Sequence, residues 1–200
     1  MTARDDRATA ANAVTFRRFD AAGARRQRAV VSQIHRDAYA EQIATGEQFA
    51  SHEAFMTRFD TYTAREGLDL VIAFSGEGPA AQPIGQAWGW PLGAGTKWWD
   101  GLETVPEPGF TDEDGRRTFA LSEIMVGQRW TGRGVAHALH DALLAQRTEQ
   151  RATLLVRPEN PAHTIYRRWG WRTATQLRPG WPGAPLMDVL MLPLPLVSAT

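Results

Sequence analysis

The chain has 200 residues, with 22 basic and 22 acidic side chains and no cysteine. Its length suits one domain with a substantial core, and its balanced charge steers it toward neither nucleic acid nor an anionic membrane. Without thiols there is no disulfide framework, no thiolate metal site and no cysteine nucleophile, and no stretch approaches the roughly 18 apolar residues of a membrane span.

Residues 1–12 (MTARDDRATAAN) lack the apolar core of a signal peptide and are expected to be a disordered terminus, leaving 13–195 as one domain in a cytoplasmic protein. Residues 13–19 alternate weakly and read as a first strand. From Gly23 to about Ile43, Val30, Ile34 and Ala38 recur at helical spacing. A second helical stretch over 52–64 sets Phe55 and Phe59 four residues apart. Residues 68–74 (LDLVIAF) form a near-continuous apolar strand, a turn follows at 75–79, and 83–90 (PIGQAWGW) reads as the hairpin partner.

The connection over 91–117 is longer than a hairpin loop, which argues for function or disorder. Its glycines (Gly93, Gly95, Gly101, Gly109, Gly115) and prolines (Pro91, Pro106, Pro108) disfavour regular structure. Six acids, Asp100, Glu103, Glu107, Asp112, Glu113 and Asp114, fall between Trp98 and Gly115 with no basic residue among them. Adjacent Trp98 and Trp99 point apart in any regular conformation, so burying both is awkward; one reading is a solvated acidic loop with one of them anchored, the other a lid over the acceptor.

Residues 118–145 organise the chain. An apolar strand over 119–126 gives way to a glycine turn at 128–134, and Val135, Leu139, Ala142 and Leu143 then mark one stripe of a helix beginning at or just after Gly134. A glycine turn that opens a helix presents unpaired N–H groups and the positive end of the helix dipole, a site for phosphate. A nucleotide P-loop fails here, because Arg133 and Gly134 stand where Lys and a hydroxyl are needed. A dinucleotide fingerprint fails too, because His137 stands where its third glycine belongs.

What remains, Arg129-Trp130-Thr131-Gly132-Arg133-Gly134, resembles the [QR]-x-x-G-x-[GA] turn of the GNAT family of acyl-CoA-dependent N-acetyltransferases. The strand before it resembles the family's fourth strand. Residues 151–160 (RATLLVRPEN) and 161–171 (PAHTIYRRWGW) resemble the fifth strand and the helix after it, and Tyr166 to Trp171 fits the Y-x-x-x-G-[FW] ending. The resemblance implies an α/β fold, a mixed and mostly antiparallel sheet of six or seven strands flanked by about four helices, and acetyl-CoA as cosubstrate. It implies that Arg129, Trp130, Thr131, Gly132, Arg133, Gly134 and Val135 cradle the pyrophosphate, and that backbone at Ile124, Met125 and Val126 pairs with the pantetheine arm. Asn160 departs from the pattern: it stands six residues before Tyr166, whereas the family's Asn stands seven before, where this chain has Glu159. The first two helices imply an acceptor wall that would include Tyr39, Phe49, Phe55 and Tyr62, with a place in the core as the rival reading. A loop over 177–185 holding Trp181 and a last strand over 186–192 complete the chain.

Acetyl transfer to an amine needs a base for the ammonium proton and an acid for the departing thiolate. Glu123, nine residues before Gly132 and beside apolar Leu121 and Met125, is the candidate base, with a pKa expected to be raised; a structural carboxylate is the rival reading. Tyr166 is the candidate acid, since in relatives a tyrosine of this motif sits near the coenzyme sulfur. His137 and His140 stand about one helical turn apart, but no further ligand at useful spacing is evident, so no metal is expected. The acidic connection, read as a lid, favours a cationic acceptor, a small molecule or a basic peptide, by charge and by cation–π contact. The expected activity is direct acetyl transfer from acetyl-CoA to a primary amine, with no nucleic-acid or membrane partner and a homodimer compatible. The alternative is a non-catalytic acyl-CoA-binding or regulatory module.

Overall fold

The computed structural model describes residues 13–46, 51–180 and 183–196. The N-terminal segment 1–12, Phe49 and Trp181 lie outside the described residues. Among the described residues the order is β1 (Val14–Asp20), α1 (Ala21–Arg26), α2 (Arg28–Ala38), α3 (Ala40–Ala44), α4 (His52–Tyr62), β2 (Asp69–Ser75), β3 (Gln82–Pro91), β4 (Thr118–Val126), α5 (Val135–Leu144), β5 (Arg151–Val156), α6 (Ala162–Arg168), β6 (Arg172–Leu177) and β7 (Met187–Pro193). The seven strands form one mixed sheet in the order β1-β2-β3-β4-β5-β7-β6. Six helices replace the four expected, because the stretch read as one helix over 23–43 breaks at Gln27 and Tyr39 into three. No helix among the described residues is long and apolar enough to cross a membrane.

The chain separates into two compact units, Met1–Gly89 with Glu123–Leu143, and Trp90–Ser122 with Leu144–Thr200. In the first, β2 pairs antiparallel with β1 and β3, and all seven of its residues are buried, as a continuous apolar run requires. Helix α2 buries Val31 and Ile34, and α4 buries Phe55, Met56 and Phe59. Each fully buried side chain of this size contributes roughly 1.5–3 kcal/mol. Phe59 meets Trp88 of β3 edge-on, with ring centroids 5.3 Å apart. Asp20 and Ser51 cap α1 and α4, accepting from Gly23 N at 2.7 Å and Ala54 N at 3.2 Å. Arg18 bonds Asp69 at 2.8 Å and also the Leu143 carbonyl at 3.2 Å, a cation at a helix C-terminus.

In the second unit, β4 pairs parallel with β5 at Thr118↔Arg151, Phe119↔Ala152 and Ala120↔Thr153, and the ladder stops there although both strands continue. β7 pairs antiparallel with β5 and with β6, the latter a strand that the sequence pattern does not predict. The connection over 91–117 is folded. Trp99 is buried against Phe110, while half-buried Trp98 meets Trp90 edge-on, so one tryptophan anchors the segment. Glu113 is not an uncompensated acid. Its carboxylate accepts from Trp99 Nε1 (3.2 Å), Thr118 Oγ1 (2.7 Å) and Arg151 Nη2 (3.3 Å), and its side chain is 1% exposed. The guanidinium of Arg151 lies over the Phe110 ring at 4.7 Å.

The segment also pairs with the end of β6. Glu103 N donates to Gln176 O at 2.9 Å, and Arg178 N to Gly101 O at 2.9 Å. Gly101 has φ +83°, and a Cβ there would stand 2.1 Å from the Arg178 carbonyl oxygen. Gly101→Ala should therefore cost on the order of 2–3 kcal/mol, lowering the melting temperature by roughly 4–12 °C. An unchanged thermal transition by calorimetry would contradict this close approach.

Candidate functional site

The glycine turn forms from its own residues. Gly127 N donates to Ile84 O at 2.8 Å and so ties the end of β4 to β3; a short 3-10 turn over Gln128–Trp130 follows. Thr131 Oγ1 then closes on Gln128 O at 2.8 Å. Gly132 and Gly134 hold φ of +71° and +78°, and nothing lies within 4 Å of where their Cβ atoms would be. Only glycine takes two such angles without strain, and the space beside them is open. The first bond of α5, Ala138 N to Gly134 O at 3.0 Å, places the helix start where the sequence put it, with Val135 buried and Arg129, Thr131 and Arg133 exposed. Arg133 lies over the half-buried Trp130 ring at 5.2 Å. Open, positively polarised backbone flanked by two arginines fits a pyrophosphate.

Upstream on the same strand, Glu123 lies between buried Leu121 and Met125, with a side chain 17% exposed. Burial pushes its carboxyl up to about 7, against the Arg58 guanidinium 3.8 Å away, which pulls the other way. Tyr62, on the same helix as Arg58, has its phenol pKa raised by burial first and by the Glu123 charge second. Arg58 was not legible as a site residue, because its place beside Glu123 comes from the packing of α4. Ile124 and Val126 are half-buried, and Met125 Sδ receives a bond from buried Gln86 Nε2 at 3.2 Å.

Two of the aromatic residues expected as an acceptor wall, Tyr39 and Phe55, stack on a histidine. His35 is buried, stacked on Phe55 at 4.0 Å and Tyr39 at 5.2 Å, and its Nδ1 is 3.3 Å from His52 Nδ1. Burial, then the charge of His52, lowers its pKa to about 4. Tyr62 packs on Trp88 at 5.5 Å. Phe55 is therefore core, the rival reading given above, while Tyr39 and Tyr62 stay half-exposed.

Tyr166 belongs to the second unit, where it is 9% exposed and meets Trp169 and Trp171 at 5.6 and 6.2 Å. Asn160 turns its side chain to its own helix: its Oδ1 accepts from Ala162 N at 2.9 Å, opening α6. One turn before Tyr166, His163 Nε2 lies 2.9 Å from Asp188 Oδ2, and Gln176 Nε2 donates to Asp188 Oδ1 at 2.8 Å. Nothing in the sequence pointed to this trio, whose members come from α6, β6 and β7.

A family model described as an acetyltransferase (GNAT) domain matches residues 108–179, which include the turn, β5 and the Tyr166 motif. No curated protein sequence matches the chain at a significant level. Among solved structures, an acetyltransferase from Thermus thermophilus superposes with a TM-score of 0.59 at 14% identity, covering 92% of this chain and 99% of the other. The ribosomal-protein-S18-alanine N-acetyltransferase from Escherichia coli gives 0.57 at 15% identity, covering 93% and 97%. PaiA N-acetyltransferase from Thermoplasma acidophilum, in complex with coenzyme A, gives 0.50 at 10% identity, covering 91% and 99%. The fold is that of the GNAT acyl-CoA N-acyltransferases, and the resemblance carried by residues 118–171 falls inside the family match.

The raised pKa of Glu123 has a consequence for stability. In the unfolded chain the carboxyl titrates near its ordinary value of 4.5, and in the folded chain at about 7. Between these values the folded state holds more protons, so stability falls as pH rises through the window, by at most on the order of 3 kcal/mol. Glu123→Gln should remove this loss: relative to the parent, the variant should gain stability from pH 5 to pH 8 in urea melts. A constant difference across that range would place the carboxyl in water.

Proposed function

We propose that the chain is an N-acetyltransferase that moves an acetyl group from acetyl-CoA directly to a primary amine, in the cytoplasm. The observation that carries this reading is a buried carboxyl with a pKa of about 7 on the strand that runs into the Gly132/Gly134 turn. In this reading Glu123 takes a proton from the ammonium form of the acceptor. The freed nitrogen attacks the thioester carbonyl and the N–C bond forms; the nitrogen then loses its second proton to solvent as collapse of the tetrahedral intermediate breaks the C–S bond. Tyr166 gives its proton to the departing thiolate and regains one from the solvent. Backbone at Ile124, Met125 and Val126 pairs with the pantetheine amides, and the turn from Arg129 to Val135 holds the pyrophosphate. Asn160, whose Oδ1 accepts from Ala162 N at the start of α6, is assigned to the coenzyme side of the site in this reading.

The acceptor in this reading is a cationic small molecule or a basic peptide. Five carboxylates of the acidic connection, Asp100, Glu103, Glu107, Asp112 and Asp114, remain at least partly exposed after Glu113 is bound by Arg151. A second reading rests on Arg58, whose guanidinium 3.8 Å from Glu123 suits an acceptor bearing an anionic group beside its amine, such as an amino acid.

Gly134→Asp should abolish acetyl-CoA binding in calorimetry while leaving the circular dichroism spectrum near that of the parent, because a side chain at φ +78° strains the turn and a carboxylate repels phosphate. Unchanged affinity would sink the coenzyme assignment.

Thiol release should be followed over a panel of polyamines, aminoglycosides, amino acids and lysine peptides. Glu123→Gln and Tyr166→Phe should each slow the preferred acceptor on the order of 10²-fold, the former most above about pH 7, where the parent's carboxyl is ionised and able to take the proton. Added salt should raise KM for a cationic acceptor. Coenzyme binding without turnover on any acceptor would favour the non-catalytic module, and full activity in both variants would move the acid and base elsewhere.

A further inference from the structure

Helix α5 carries His137, His140 and Asp141 at i, i+3 and i+4, which brings them to one face of the helix. The sequence pattern shows two histidines and no further ligand at useful spacing; the fold brings the Asp141 carboxylate to them. One donor atom from each of the three lies within 4.8 Å of the others. His137 Nε2 is 3.7 Å from Asp141 Oδ2, and His140 Nδ1 is 2.8 Å from Asp141 Oδ1. The two imidazole rings stack with centroids 6.0 Å apart.

We propose that His137, His140 and Asp141 form a binding site for one divalent transition-metal ion of the zinc, nickel or copper kind. Two imidazole nitrogens and one carboxylate oxygen suit these ions, whereas magnesium and calcium need more oxygen donors. Tetrahedral bonds of about 2.0–2.2 Å set neighbouring donor atoms roughly 3.3 Å apart. The His137–Asp141 approach must close and the His140–Asp141 approach open, each by about half an ångström, and the donor atoms, which lie within 4.8 Å of one another, must draw together round one ion. Rotation of His137 and Asp141, whose side chains are 53% and 49% exposed, supplies the change, while the buried His140 ring is held as the fixed member. Three protein donors leave a fourth position for water or an outside ligand. The ion would clamp one turn of the helix that begins at the glycine turn, so loading the site stiffens α5. This assignment stands apart from the acetyl-transfer reading and does not depend on it.

Zinc binding to the untagged full-length chain by calorimetry tests it, with His137→Ala, Asp141→Ala and the double variant as comparisons. Both substituted side chains are half-exposed, and circular dichroism checks the folding of each variant. The parent should bind one ion with a dissociation constant of roughly 1–100 μM, and each single variant should bind about tenfold more weakly or worse. Copper loaded on the parent should show nitrogen hyperfine structure that changes in His137→Ala, and the zinc-loaded parent should melt at a higher temperature than the metal-free chain. Absence of saturable binding below about 1 mM would overturn the site. Equal binding by the parent and the double variant would do so as well, since the His35–His52 pair is intact in both and would then hold the ion.

Discussion

Desolvation of one carboxyl constrains the centre of this molecule. Glu123 stands on a strand whose neighbours Leu121 and Met125 are buried, so ionising it means placing a charge where water is scarce. The protein meets that cost in part, with a guanidinium at 3.8 Å, near enough to favour the charged form and not near enough to lock it in a hydrogen bond. The result is a carboxyl that gains and loses its proton near neutrality, on a strand that delivers a glycine turn and a helix. A fully solvated glutamate would be ionised throughout the physiological range, and one bound bidentately by arginine would be a poor base.

The acidic connection obeys the same rule with the opposite outcome. Glu113 is also buried, yet its Oε1 accepts from an indole, a hydroxyl and a guanidinium, which offset its charge. Glu113 is held in place by its donors, whereas Glu123 takes up and releases its proton near neutrality. The number and geometry of donors around each decides which is which.

Much of the architecture was legible because its signals are local. The glycine pair at 132 and 134, the apolar runs at 68–74 and 119–126 and the stripe on α5 each specify a conformation from neighbouring residues alone, and the elements appear within a residue or two of their expected bounds. The failures share a cause. The break of the first helical stretch at Gln27 carries no glycine or proline, β6 has little apolar pattern, and the pairings Arg58 with Glu123, Arg151 with Glu113 and His163 with Asp188 join residues far apart in the chain. Asp141 was hidden for another reason: it sits directly beside His140, a spacing that looks wrong until the side chains are seen to converge from one helical turn.

The Arg151 contacts have a consequence for how the second unit opens. Arg151 begins β5, and it bonds Glu113 and Thr118 and covers the Phe110 ring, so the acidic connection shares its interior with the sheet. Releasing the connection alone would strand a half-buried guanidinium without its carboxylate, a cost that ordinary surface loops do not face. Residues 99–118 and the start of β5 therefore belong to one cooperative unit of local unfolding. Amide protons there should exchange with solvent at the rate of the strands, rather than at the rate of a loop.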